Sequence, residues 1–540
     1  MPVAPVALLV ALGLLLGCWV FADPVGYAPD EPANYTKAVG VGSGQGLGSP
    51  GSYGIGPGFG PLQLQWINRA SRVYVMPPGL APDGLVCALF QDDVPNACQK
   101  RYVPPAQPAP RLTYVGTYEP FAYALAGWPA VHSRGGVFRA FYAGRLAQSL
   151  VSFVLLSLAV LVSWRRGSGS WSLLGLVVAL PPMALFLAAS ISPNGLETVA
   201  AVCTVAAVLR LARPDSRSTV LAWTALAAGG AVLAATRSLG PVWLVLALGL
   251  LVALVGVRGA LRLVGTGRRR AVPALGVLVL AAGSTAAWEL SVQPHPAFDL
   301  SVSAKALPAL YRAGPELLTE WVGKFGWADL PMPAAFYWVW VSLFLLVCLL
   351  AALLGTGRER LLLGGVLFVS LACVVVVEAG VIAQTHFPMY GRYVLPAVLT
   401  LPLVAGEIVR RHAARLFPPL RRALPVAVFA GAAAVQVAAV FVTARRYAVG
   451  TSGPWWFLPD STWAPPRGWV LWLVTAALAA VLTAAAGTST RNPSPTGATG
   501  ARRPEEAAPL SAGARQSPMS MAGAPEPARA DPAEGGTAHE

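Results

Sequence analysis

The chain is 540 residues long, 55% of its residues are hydrophobic and only 12% are charged. Its mean hydropathy of +0.59 excludes a water-soluble globular protein, because a soluble core cannot bury this much apolar side chain beneath a polar surface. The formal net charge of +15 does not indicate a nucleic-acid partner, since the arginines lie in short clusters between apolar runs, as the positive-inside rule predicts for a membrane protein.

The apolar runs predict an all-α polytopic membrane protein. A helix needs roughly 20 apolar residues to cross a bilayer, and about twelve runs meet this requirement. Two of them, 195–212 and 218–236, are the weakest because they are short or rich in alanine and glycine. The predicted spans are residues 3–22, 141–163, 171–190, 195–212, 218–236, 240–257, 271–289, 334–354, 361–383, 394–410, 423–443 and 468–487.

Arginine clusters predict how these spans are oriented. Every second connection carries such a cluster, which places it in the cytoplasm. Both termini then lie in the cytoplasm, and the large first loop, 23–138, lies outside the cell. The clusters are "WRRG" (164–167), "RLARPDSRS" (210–218), "VRGALRLVGTGRRR" (257–270), "GRER" (357–360) and "VRRHAARLFPPLRR" (409–422).

The chain divides into two parts by composition. Residues 1–487 contain all the apolar runs and form the predicted transmembrane domain, which includes the extracytoplasmic loop 23–138. Residues 488–540 consist mainly of Pro, Ala, Gly and Ser with scattered charges. Such a segment buries too little apolar surface to offset the entropy of ordering, so we expect a disordered cytoplasmic tail.

Two of the six cysteines differ from the others. Cys87 and Cys98 share the polar first loop, whereas the other four lie in apolar runs. The pair can close a short disulfide if the loop faces an oxidising compartment.

Two acids follow the first span directly, in "APDEPANY" (28–35). Asp30 and Glu31 before Pro32 are typical of a helix start, where an acidic N-cap and a proline in the first turn are stabilising. A carboxylate at the mouth of a membrane cavity can also act as a general base for an acceptor hydroxyl. Both interpretations can hold at once, and both acids are candidate catalytic residues.

Further candidates lie at the extracytoplasmic ends of the spans. Lys324 lies among aromatic residues in "EWVGKFGWADLP" (320–331), and Arg237 lies in the short turn "TRSLGP" (236–241). His386, Arg392 and Tyr393 lie in "QTHFPMYGRYVLP" (384–396). Such residues can simply belong to an interfacial belt of aromatic and snorkelling side chains. Alternatively, the cations bind the phosphate of a lipid-linked ligand.

Glu378 lies inside an apolar run, where an acid is costly enough to be a functional candidate. The sequence contains no metal-binding signature, because it lacks an H-E-x-x-H motif and paired C-x-x-C motifs and its five histidines are not clustered. No nucleophile triad is evident. A requirement for a divalent cation stays open.

The order "PDEPANY", a first loop with two cysteines, "SPNGLE" (192–197), "GKFGWADLP" and "GRYVLP" resembles the domain of unknown function 2142 family of bacterial multi-pass membrane proteins. That family is grouped by similarity with the C-type membrane glycosyltransferases. The resemblance implies a fold of many spanning helices with a large first extracytoplasmic loop. It also implies a catalytic base near the start of that loop, here Asp30 or Glu31, and it places Arg392 in the family's "GRY" element.

These observations together predict a membrane glycosyltransferase of the bacterial plasma membrane that acts in cell-envelope glycan synthesis. Its donor would be a polyprenyl-phosphate sugar at the extracytoplasmic face, and its acceptor a glycan or a protein. The first alternative is a transporter or flippase of lipid-linked saccharide, with Glu378 and Arg392 at its substrate or ion sites. The second is a non-catalytic envelope assembly protein.

Overall fold

The computed structural model describes residues 3–54, 60–213, 219–293, 304 and 306–489. Helices dominate this part of the chain, because a helix satisfies its backbone hydrogen bonds internally in an apolar solvent. They are α1 (Val3–Ala22), α2 (Glu31–Gly42), α3 (Pro61–Ala70), α4 (Pro120–His132), α5 (Val137–Ser163), α6 (Leu174–Val178), α7 (Pro182–Ala188), α8 (Pro193–Leu211), α9 (Thr219–Thr236), α10 (Gly240–Thr266), α11 (Arg268–Val292), α12 (Ala306–Val322), α13 (Ala334–Leu354), α14 (Gly357–Thr385), α15 (Leu395–Val398), α16 (Thr400–His412), α17 (Pro418–Val449) and α18 (Trp469–Gly487).

Ten segments of the described chain are long and apolar enough to cross a membrane, which confirms the predicted multi-pass architecture. Helix α9 is also apolar but shorter. Each of these elements coincides with one of the predicted apolar runs. The ten segments are α1, α5, α8, α10, α11, α13, α14, Gly391–Arg415 (which contains α15 and α16), α17 and α18.

The structure corrects one predicted span, residues 171–190. These residues do not form a single helix, because α6 ends at Val178 and α7 begins only at Pro182. Pro181 and Pro182 supply no backbone N–H and their rings clash with a preceding helical turn. Every residue of both short helices is buried. The broken segment therefore lies within the bundle, surrounded by other helices.

The described part of the large first loop adds strands to the helical architecture. Strands β1 (Ser49–Pro50), β2 (Arg72–Met76) and β3 (Ala109–Thr113) form an antiparallel sheet in the order β1-β2-β3. A second hairpin pairs β4 (Lys324–Phe325) with β5 (Leu330–Pro331) before α13. Of the predicted tail 488–540, residues 490–540 lie outside the described part of the chain, so the tail stays a prediction.

A disulfide joins Cys87 to Cys98 within the first loop. The loop is also tied to the last turn of α17 by Arg446, which donates to the backbone carbonyls of Val94 at 2.7 Å and Gln91 at 2.8 Å. A buried guanidinium bonded to several carbonyls holds irregular backbone in place, because those carbonyls would otherwise lack partners. The first loop is thus fixed to the membrane helices.

Helix α2 begins directly after Asp30, one of the two predicted acids, and packs on α4. The two helices approach closely at Gly127, where a Cβ atom would clash with the carbonyl oxygen of Ala38. Helix α1 packs against both α5 and α18. Because α1 ends at Ala22 and α2 begins at Glu31, the two predicted acids lie beside the end of the bundle at which α1 terminates.

Candidate active site

The two neighbouring acids have different environments because Asp30 lies just outside α2 and Glu31 is the first residue within it. Asp30 occupies the N-cap position with φ of 60° and ψ of 10°, and Pro32 lies in the first turn, as the sequence predicts. The carboxylate of Asp30 does not bond to the helix N–H groups. The left-handed backbone at Asp30 costs conformational energy, and its side chain is available for other partners.

Glu31 is completely buried and its carboxylate binds Arg145 of α5. The Nε of Arg145 donates to Oε1 at 2.7 Å and its Nη2 donates to Oε2 at 2.5 Å. The backbone N–H groups of Gly26 and Ile191 donate to the same carboxylate at 2.8 and 3.0 Å. Four donors on three separate segments therefore converge on Glu31, an arrangement that fits a structural role.

Asp30 is the more accessible acid, with 29% of its side chain exposed. The hydroxyl of Tyr114 donates to its Oδ1 at 2.8 Å, and the Nη2 of Arg392 donates to its Oδ2 at 2.9 Å. These two partners fix the carboxylate while leaving part of it open. A positioned and partly exposed carboxylate can accept a proton from an incoming hydroxyl.

Arg392 lies in the short 3-10 turn Gly391–Val394 that precedes α15. Glu320 of α12 accepts a hydrogen bond from the backbone N–H of Gly391, which holds this turn in place. The guanidinium stacks over the ring of Tyr390, 4.1 Å from its centroid. Its Nε is buried and has no hydrogen-bond partner among the described residues. Arg392 therefore binds Asp30 and keeps a second donor for another acceptor.

Arg237 joins the same cluster through Tyr393. Its guanidinium lies 4.9 Å from the centre of the Tyr393 ring, and that of Arg392 lies 5.3 Å from the same centre. Glu197 of α8 pairs with Arg237 at 3.5 Å, and the side-chain oxygen of Asn194 accepts a bond from it. The structure thus brings Asp30, Arg237, Arg392 and Tyr393 together from three separate parts of the sequence.

The remaining predicted residues have local partners. Lys324 pairs with Glu316 of α12. His386 ends α14 in a left-handed conformation, and its carbonyl accepts a bond from Gln63 at 2.9 Å. The buried Glu378 accepts a bond at 2.8 Å from the backbone N–H of Met389, in the loop that follows its own helix. That contact closes the loop over the end of α14.

A second carboxyl pair, absent from our sequence predictions, lies near Arg237. Burial and a hydrogen bond with Glu289 raise the pKa of Glu119 to about 8. Lys37, buried in α2, donates to the carbonyls of Val115 and Tyr118, and burial lowers its pKa to about 7. No sequence motif joins Glu119 to Glu289, because Glu119 precedes α4 while Glu289 lies on α11.

The raised pKa of Glu119 predicts a pH-dependent stability. The folded protein keeps this proton up to about pH 8, whereas the unfolded chain loses it near pH 4.3, so stability falls as pH rises through this window by up to about 1.4 kcal/mol per unit. We expect the thermal midpoint of the wild type to fall between pH 5 and 8 relative to that of E119Q, which cannot ionise. Asp23, whose pKa burial also raises to about 8, contributes to both proteins, so their difference reports Glu119 together with its neighbours Glu289 and Lys37. Parallel midpoints across this range would contradict the shift.

Most of this sequence matches a known protein family. The profile of the family described as "Predicted membrane protein (DUF2142)" matches residues 12–401. The chain belongs to this family. The match confirms the resemblance carried by the short motifs, and it includes Asp30, Arg237 and Arg392. A search of the curated proteins gives no match.

Two solved structures are similar to this DUF2142 protein. One is the crystal structure of ArnT from Cupriavidus metallidurans bound to undecaprenyl phosphate, with 14% sequence identity, a TM-score of 0.37, and coverage of 89% of this chain and 75% of that chain. The other is ArnT from Cupriavidus metallidurans in the apo state, with 15% identity, a TM-score of 0.28, and coverage of 69% of this chain and 65% of that chain.

Proposed function

We propose that this DUF2142 protein is a glycosyltransferase that moves a sugar from a polyprenyl phosphate to an acceptor hydroxyl of a glycan or protein. The observation that carries the proposal is the contact between the partly exposed carboxylate of Asp30 and the guanidinium of Arg392. Such a site combines a proton acceptor with a fixed cation, and the transfer reaction needs both.

The distribution of arginines supports a cytoplasmic position for both termini and an extracytoplasmic position for the site. Helix α14 connects the two ends of the bundle: Arg358 lies at its start, and the loop that carries Arg392 follows its end. Arginine-rich connections remain in the cytoplasm. In the bacterial plasma membrane, Asp30 would then face the compartment in which the cell envelope is assembled.

The proposed reaction exchanges one C–O bond for another. The acceptor oxygen attacks the anomeric carbon while Asp30 takes the hydroxyl proton, and the bond from that carbon to the carrier phosphate breaks with its electron pair on the phosphate oxygen. The leaving phosphate gains negative charge in the transition state. Arg392, together with Arg237, would stabilise that charge, and a preorganised cation acts more strongly there than in the ground state.

The Nε of Arg392 is the donor that we assign to the carrier phosphate. The buried Nε of Arg392 lacks a hydrogen-bond partner in the described chain, and the rings of Tyr390 and Tyr393 hold its guanidinium in place. With its Nη2 bonded to Asp30, the guanidinium still carries further N–H groups that can bind phosphate oxygens. Lys324 is less suited to this role because its ammonium already pairs with Glu316.

The test supplies purified full-length protein with a panel of radiolabelled polyprenyl-phosphate sugars and an acceptor mixture, and measures release of the carrier. We expect turnover with at least one donor, and a loss of roughly 10²–10³ in kcat for R392Q, as found when one charge-stabilising donor is removed. Assays with and without a chelator test the need for a divalent cation.

R445Q is the matched control for R392Q. Arg445 also lies at the Asp30 end of the bundle and also stacks on an aromatic ring, that of Trp455 at 4.3 Å. It has no contact with Asp30, so its removal should leave kcat within about twofold, as for surface substitutions away from a site. No turnover with any donor would favour the transporter or the assembly protein. Equal losses in both variants would show that R392Q acts through the fold and not through the leaving phosphate.

A further inference from the structure

A cavity of about 820 Å³ lies between α8, α10, α14 and α16. Exposed apolar side chains such as Val245 and Leu361, at 66% and 78% exposure, form part of its lining. In a spanning bundle such side chains face lipid, so the cavity opens sideways toward the bilayer. Its other apolar walls include Val205, Leu250, Leu254, Val366, Val404 and Ile408.

The charged side chains in the cavity wall balance one another. They are two arginines and two glutamates, namely Arg358, Glu359, Glu407 and Arg411. Glu407 accepts a hydrogen bond from Arg411 at 3.1 Å, and Arg358 donates to the carbonyl of Leu254 at 3.1 Å. The lining therefore carries no net charge, and an ionic headgroup gains little at this end of the cavity. The apolar walls favour a hydrocarbon chain instead.

The cavity extends from this charged end to the candidate active site. Leu254 and Trp243 both line it and lie eleven residues apart on α10, which is about 16 Å along a helix. Trp243 is near the start of α10, and Arg237 lies in the turn before that helix. Pro396, in α15, also lines the cavity and follows the turn of Arg392 directly. The cavity is thus continuous with the two cations of the site.

Trp243 also connects the cavity to Arg237 through a single carboxylate. Its indole Nε1 donates to Oε1 of Glu197 at 3.1 Å, and Oε2 of Glu197 lies 3.5 Å from Nη1 of Arg237. Glu197 is buried, at 1% exposure, so these two partners fix its carboxylate. The orientation of Arg237 therefore depends in part on Glu197, and that of Glu197 depends on an indole in the cavity wall.

We propose that the cavity binds the isoprenoid tail of the donor's carrier, and that Trp243 and Glu197 are positioning residues that couple the bound tail to Arg237. This rests on the proposed function, in which Arg237 and Arg392 bind the carrier phosphate. A tail in the cavity packs against the indole and restricts its motion, which holds Glu197 where it pairs with Arg237. Binding energy from the remote tail is then used to position a cation at the reacting end of the donor.

Native mass spectrometry of the full-length protein in nanodiscs tests the tail site without any sugar transfer. Undecaprenyl phosphate and geranyl phosphate share a headgroup and differ in the length of the isoprenoid tail. We expect the wild type to retain undecaprenyl phosphate about tenfold more strongly, because only the long tail fills the cavity.

Two glycine variants separate the cavity from the bilayer. Gly364 and Gly365 are neighbours on α14 with open space where a Cβ would stand, and only Gly365 lines the cavity. G365L should reduce retention of undecaprenyl phosphate about tenfold, because its side chain takes the space of the tail, whereas G364L should have little effect. Comparing the two variants removes the affinity of the long tail for the bilayer itself.

A double-mutant cycle tests the coupling to Arg237. R237Q and W243F should each reduce retention of undecaprenyl phosphate, by about tenfold and about fivefold, as for lost charged and neutral hydrogen bonds. Because W243F acts through Arg237, the double variant should bind as well as R237Q alone. E197Q, which leaves the cavity wall unchanged, should behave like W243F in the same cycle.

W472F is the matched control for W243F. Trp472 stacks on Phe21 at the end of the bundle where α1 terminates, and its indole donates to the carbonyl of Pro466 at 2.7 Å. It does not line the cavity. W472F should therefore leave both the retention of undecaprenyl phosphate and the loss caused by R237Q within about twofold of their values without it.

Three outcomes would overturn the proposal. Unchanged retention in G365L would show that no tail enters the cavity, even if sugar transfer were observed. Displacement of undecaprenyl phosphate by equimolar phosphatidylglycerol would show that the cavity does not select an isoprenoid. Independent losses from W243F and R237Q would remove the coupling. Failure of sugar transfer gives a different result: the expected pattern of retention without turnover of any donor would support the tail site and favour a transporter.

Discussion

Replacing Asp30 by asparagine is expected to reduce sugar transfer by roughly 10²–10⁴, the contribution of a positioned general base. Asparagine has nearly the same shape, and its carbonyl oxygen can still accept the bond from Tyr114 or Arg392. Its amide cannot take a proton from an acceptor hydroxyl. The loss should therefore appear in kcat, measured by carrier release at saturating donor, while the binding of donor changes little.

Y114F provides the accompanying control for D30N. It removes the hydroxyl that donates to Oδ1 of Asp30 at 2.8 Å but leaves the carboxylate and its contact with Arg392. We expect an intermediate loss of about tenfold, as for a lost orienting hydrogen bond. If D30N retained wild-type turnover, Asp30 would not be the base, and an assay of E119Q would show whether Glu119 has that role.

E31Q is expected to damage folding, in contrast to the neighbouring D30N. Glu31 is fully buried and accepts bonds from the Nε and Nη2 of Arg145 and from two backbone N–H groups. A glutamine offers one oxygen to these donors and turns an amide toward the others, so the charge of Arg145 loses its main partner. Breaking a buried pair in this way costs about 3–5 kcal/mol.

The measurement for E31Q is the thermal midpoint and the monodisperse yield of purified protein, with D30N in parallel. D30N alters a side chain that is 29% exposed and leaves an amide oxygen for Arg392, so its midpoint should fall less than that of E31Q. A normal midpoint for E31Q would contradict the structural role of Glu31. Loss of turnover in that same variant would then assign the catalytic carboxylate to Glu31.

Several features of the fold could be predicted from the sequence because they depend on contiguous residues. The length of an apolar run such as 334–354 determines whether a helix can cross a bilayer, and the structure places α13 at the same residues. Asp30 before Pro32 predicted the start of α2. The prediction for 171–190 was wrong because hydropathy averaged over a window does not register the break that Pro181 and Pro182 impose on backbone hydrogen bonding.

The candidate site was predicted only in part. The sequence pointed to both Asp30 and Glu31 but gave no means of distinguishing them, since their residue types and positions are nearly equivalent. Their separate environments come from partners far along the chain: Arg145 lies 114 residues from Glu31, and Arg392 lies 362 residues from Asp30. Glu119 was not predicted because its partner Glu289 lies on α11, far along the chain.

By itself, the sequence determined that this is a polytopic membrane protein with acids at the end of its first span, because hydrophobicity, charge clusters and a helix start are local properties. Only the tertiary structure decided which acid is buried against Arg145 and which is open beside Arg392, and that Tyr393 brings Arg237 to the same place. The physical reason is that the environment of a side chain depends on residues brought near it by packing. A local pattern carries no information about those neighbours.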